Sequence, residues 1–152
     1  MISIATALHA LAAVVWVGGM FFAYMALRPA VGPLAPAERL ALWKRTFDRF
    51  FLWVWASIAV LLVTGYWIVF GELGGFGGAG AHIHIMQAVG LLMIALFLHL
   101  WFAPFGRLGK ALAASDLKTA AAQIDQIRMI VGINLVLGLV TVAIGASGRY
   151  WG

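Results

Sequence analysis

The chain has no cysteine among its 152 residues, which excludes disulfides and thiolate metal sites. Any soft-metal chemistry must use histidine and methionine. Charge is also scarce. Only 10% of residues are Asp, Glu, Lys or Arg, against about 25% in an ordinary soluble domain. The five carboxylates, Glu38, Asp48, Glu72, Asp116 and Asp125, fall outside the long apolar runs. No phosphate-binding loop, nucleophile elbow or zinc-protease helix signature is present. Hydrolytic catalysis of the soluble type is therefore not expected, which leaves redox chemistry on a bound cofactor as the one enzymatic reading open.

What is present is apolar. Hydrophobic residues make up 64% of the chain and the mean hydropathy is +1.03. A soluble fold of this size cannot hide so much apolar surface, whereas a lipid bilayer is itself the apolar solvent. A helix needs about 20 apolar residues to cross the hydrocarbon. Four runs meet this, at about 2–27, 50–70, 83–103 and 129–146. Backbone groups in lipid must be paired within the segment, so each run is a helix. The expected fold is all-α: one integral-membrane domain over 1–152, an up-down four-helix bundle. Loops at 28–49 and 104–128 link helices 1–2 and 3–4. Pro36 to Phe50 should be helical and run into helix 2, and Ser115 is a candidate cap for a helix running into helix 4. The first run is too long for a signal-peptide core and has no basic start.

The basic residues cluster in these two loops: Arg28, Arg39, Lys44, Arg45 and Arg49 in one, Arg107, Lys110, Lys118 and Arg128 in the other. The positive-inside rule puts both loops in the cytoplasm. Both termini and the glycine-rich 71–81 connection, read as flexible, then face the periplasm of a bacterial inner membrane. The net charge of +5 is spent on anionic lipid headgroups, and a nucleic-acid partner is not expected.

The halves resemble one another. His9 precedes Pro29 by twenty residues, as His84 precedes Pro104; Asp48 precedes Thr64 by sixteen, as Asp125 precedes Thr141. Two related helical hairpins would place His9 and His84 at equivalent depths, facing each other from diagonal helices.

Ionisable groups in a membrane mark function. His9 shares a helix face with Ala13, Trp16 and Met20, and His82 and His84 open helix 3. His82 and Met86 are four residues apart and share a face, with His84 about 160° away. Converging imidazoles with a thioether suit copper; two imidazoles alone suit haem b as axial ligands, with Trp16 and Arg149 beside it. Met20, Met93 and His99 are the candidate inward steps of a transport path, although packing is the plainer role for the methionines. His99 lies roughly 22 Å along the helix from His84. Gln87, Asn134, Ser57, Thr64 and Thr141 are expected to tie helices together. Trp16, Trp53, Trp55, Trp67, Trp101 and Trp151 are candidates for the interfacial belts.

Leu8-His9-Ala10 followed by Trp16-Val17-Gly18-Gly19-Met20-Phe21 resembles the first helix of the copper resistance protein D (CopD) family, as does the plan of apolar hairpins with basic loops. The resemblance implies copper uptake or homeostasis at the inner membrane, with His9 and His84 as metal ligands. It also implies a periplasmic copper carrier as partner and, for so short a chain, a homo-oligomer where transport occurs. A weaker similarity is to the HemJ-type protoporphyrinogen oxidases, which implies haem. Where those carry a His-x-Lys pattern, this chain has His82-Ile83-His84. Three readings follow: a copper-binding protein, a b-type haem protein exchanging electrons with a quinone or oxidising a porphyrinogen, and a cofactor-free assembly factor.

Overall fold

The computed structural model describes residues 2–151, without the side chains of Ile2 and Arg149. Four long helices form the molecule, and no strand occurs among the described residues. Helix α1 runs through Ile2–Phe22, a π-helical turn at Ala23–Leu27 and Arg28–Ala30. Helix α2 is Pro36–Gly71. Helix α3 joins Ala81–Leu100, a π-helical turn at Trp101–Phe105 and Gly106–Ala113. Helix α4 is Leu117–Ser147. All four are long and apolar enough to cross a membrane, and the chain is a multi-pass membrane protein. The 36 residues of α2 span about 54 Å. That exceeds the hydrocarbon thickness of ~30 Å, so the helix projects beyond it.

Much of the 28–49 and 104–128 stretches is helix, so the connections themselves are short. Pro29 lies two residues after the first π turn, and Pro104 lies within the second. A proline ring collides with the carbonyl four residues back, which is Met25 for Pro29 and Leu100 for Pro104. The widened turn gives that carbonyl room, and the helix continues. Pro36 takes the first position of α2, where its missing N–H costs nothing. The cap of α4 is Asp116 rather than Ser115: its carboxylate accepts from the Thr119 N–H at 3.0 Å. Ser115 instead turns the chain with a φ of 57°.

The Thr119 hydrogen bonds hold the Asp116 carboxyl below the usual carboxylate range. Because the folded value is depressed, the cap's contribution is present above the unfolded value of ~3.9. It is lost as pH falls through the folded one. Hydrogen exchange at the first turn of α4 should accelerate in Asp116→Ala at neutral pH, and in the native chain only in strong acid.

Helix α1 packs against α2 and α4, α3 packs against α4 along its length, and α2 meets α4 and the basic-side end of α3. One side-chain hydrogen bond ties each successive pair: His9 to Thr64, Gln87 to the Tyr66 hydroxyl at 2.7 Å, and Asn134 to the Met93 carbonyl at 3.1 Å. Glycines let neighbours approach. The Phe50 ring sits on Gly19, and Met93 and Val17 meet Gly138, whereas Gly18 and Gly90 face open space.

Packing is uneven along the bundle axis. Call the end with the chain termini the terminal side and the other the basic side. Toward the basic side, Trp43, Phe47 and Phe51 stack along α2 and meet Phe97 and Phe105. Trp16 belongs to this core at 4% exposure, touching Phe97 edge-on; it is not an interfacial residue. Trp53, Trp67 and Trp151 are exposed. Toward the terminal side, no described residue of α1 before Ala12, of α3 before Met93 or of α4 from 139 to 147 is buried. The candidate histidines lie in this looser half. The glycine-rich connection folds back onto this end. Gly74 and Gly75 adopt φ of 69° and 93°, which glycine tolerates. They bring the Phe76 ring onto Tyr66 and Phe70.

Candidate metal centre

His9 projects from the core face of α1, one turn above Ala12 and two above Trp16, toward α2. Its Nδ1 lies 2.9 Å from Thr64 Oγ1. The Thr64 hydroxyl has one proton, and that proton goes to the Val60 carbonyl at 2.6 Å. Thr64 therefore accepts from His9, and Nδ1 carries the ring proton. In the neutral ring this leaves the lone pair on Nε2. A hydrogen bond at one ring nitrogen that fixes the tautomer and aims the other is how proteins prepare a histidine ligand. Gly65 supplies the space: a Cβ there would lie 3.2 Å from His9 Cε1.

The second half lacks this arrangement. Thr141 makes the same backward bond, to the Leu137 carbonyl at 2.8 Å, but the residue after it is Val142, where the first half has Gly65. The His84 side chain makes no hydrogen bond among the described residues. It is exposed, and its ring lies beside Phe76, centroids 5.9 Å apart. The expectation that His9 and His84 face each other as equivalent residues is thus not what the packing gives: one imidazole is seated between helices, and the other is outside them.

His82 is partly buried, against Gly148 and the Trp151 ring at 6.3 Å. The Met86 thioether lies against Gly145 on α4. Among the described residues, no three of the His, Asp and Glu side chains gather into a metal-sized cluster. Met20 and Met93 are core residues, 2% and 4% exposed. His99 is exposed and does not face that core. The Arg149 side chain lies outside the described residues.

Thr64 was legible in the sequence as a helix-tying group but not as the partner of His9. The signal was its neighbour, a glycine at the same level as a membrane histidine. Tyr66, which holds Gln87, left no comparable mark.

These features define a class: a small multi-pass helical membrane protein without cysteine, with three of its four histidines and Met86 toward one end. The family model for copper resistance protein D (CopD) matches residues 44–147, and the chain belongs to that family. It is a copper-resistance-related membrane protein. The matched stretch spans most of α2 and all of α3 and α4, and leaves out the α1 residues around His9. No curated protein and no solved structure matches the chain.

Proposed function

We propose that this protein binds copper at the terminal side of a bacterial inner membrane and serves copper homeostasis there. The observation that carries the reading is the Val60–Thr64–His9 hydrogen-bond chain, which leaves His9 Nε2 with a free lone pair. His84, exposed at the same end beside Phe76, is the candidate second imidazole and would have to turn inward to share an ion with His9. His82 and Met86, on the same end of α3 but packed toward α4, are the further imidazole and thioether candidates, donor types suited to copper. Copper is the cargo in this reading. The basic loops support a cytoplasmic basic side and periplasmic termini. Below His9 the core is dense with Trp16, Met20 and Met93. That density favours capture and delivery at the terminal side over a standing path through the bundle.

The test is a Cu(I) titration of the protein in mild detergent against a competing chelator. One ion should bind, and His9→Ala should abolish binding at competitor levels the native chain withstands. Full retention of the ion by His9→Ala would end the proposal. A reporter fused to the C-terminus should be active in the periplasm; activity only in the cytoplasm would reverse the orientation.

A further inference from the structure

A second feature lies at the opposite end, between α1 and α4. An apolar groove of about 580 Å³ runs along the outside of the bundle, lined by Met25, Met129, Gly132, Ile133 and Val136 with Tyr24 at its head. That volume is in the range of sites that hold small molecules, ~300–1,000 Å³. Gly132 shapes it, since a Cβ there would press on the Tyr24 ring at 3.1 Å. At Tyr24 the groove meets a small cleft lined by Arg28, Arg128, Trp43 and Phe47, with no carboxylate.

The two arginines differ in their partners. The Arg28 guanidinium lies over the Tyr24 ring, 5.0 Å from its centroid, and has no acidic partner among the described residues. Arg128 gives one amine to Asp125 at 2.9 Å, while its Nε–H is buried with no partner. An unpaired buried donor is costly, and the cleft, about 10 Å³, has room for one water beside it but not for a phosphate. From Met129 to Val136 the groove extends about 10 Å away from the charged end, toward the middle of the bilayer. Positive charge at the membrane surface and an apolar slot leading inward match a phospholipid in polarity and direction.

We infer that the α1–α4 groove holds one anionic phospholipid of the basic-side leaflet, its phosphate outside the cleft over the exposed parts of Arg28 and Arg128 and one acyl chain along Gly132 and Ile133. The π turn at Ala23–Leu27 carries Tyr24 at the junction of the two parts.

The experiment is native mass spectrometry of the protein in mild detergent, titrated with phosphatidylglycerol or phosphatidylcholine. One phosphatidylglycerol should bind in clear preference to phosphatidylcholine. A basic residue near the membrane surface contributes about 1 kcal/mol toward anionic lipid, or about five-fold. Arg28→Gln should therefore weaken phosphatidylglycerol about five-fold, and Arg28→Gln with Arg128→Gln about 25-fold. Lys110→Gln with Lys118→Gln removes the same charge away from the groove and should leave binding unchanged. Arg28 is exposed, so its single variant reports even if the double variant fails to assemble. Equal binding of the two lipids, native affinity in Arg28→Gln, or an equal loss in the lysine pair would each overturn the assignment.

Discussion

Replacing Thr64 with valine is expected to weaken Cu(I) binding about ten- to a hundred-fold, the usual cost of removing the group that orients a histidine ligand. Valine keeps the shape of threonine and removes the hydroxyl. His9 Nδ1–H then loses its acceptor, now 2.9 Å away, and nothing holds the proton on that nitrogen. The ring can take the other tautomer, in which Nε2 is protonated and unable to coordinate. Thr64→Ser restores an oxygen at the same place and should recover most of the affinity. A merely structural role predicts a different pattern, with Cu(I) affinity intact and only thermal stability lowered. Native affinity in Thr64→Val would show that the hydrogen bond does not prepare a ligand.

Phe51→Ala should cost about 3–5 kcal/mol, the range for truncating a buried aromatic. Phe51 is 1% exposed and its ring meets Phe47 and Phe105 at 5.0 Å and Phe97 at 5.5 Å. In lipid the hydrophobic effect does little to hold helices together, and van der Waals packing carries the association. A cavity at the centre of the aromatic stack removes contacts between α2 and α3 that nothing nearby replaces. Phe102→Ala is the matched control: 75% exposed, it should change stability by no more than about 0.5 kcal/mol. Unfolding in mixed detergent micelles with rising denaturing surfactant reads both. Equal effects at the two positions would mean that the stack contributes no more than a lipid-facing ring.

These two expectations concern different halves of the bundle. The aromatic stack makes the basic half rigid. The terminal half carries the histidines and is less tightly packed, and opening for a ligand costs least where few side chains interlock.

The amino-acid sequence by itself determined the four spans and the up-down plan. Helix is the answer that pairs every backbone group inside lipid, and run length then counts the crossings. It also marked the helical continuation from Pro36 into α2, because a proline-led amphipathic stretch before a span has no reason to break. The residue types open to metal chemistry followed from the absence of cysteine. Tertiary structure alone decided which histidine is seated. His9 and His84 look alike along the chain, each twenty residues before a proline. Only packing shows that Gly65 leaves room for one ring beside Thr64, and that the other ring rests on Phe76 outside the bundle. Likewise Trp16 resembled a belt residue until the α1–α3 contact with Phe97 buried it. The groove between α1 and α4 had no signature in the chain, since its head comes from residues 24 and 28 and its wall from residues more than a hundred positions later. Helix formation in a membrane is local and readable from composition, whereas a side chain's neighbours depend on how separate helices rotate against one another.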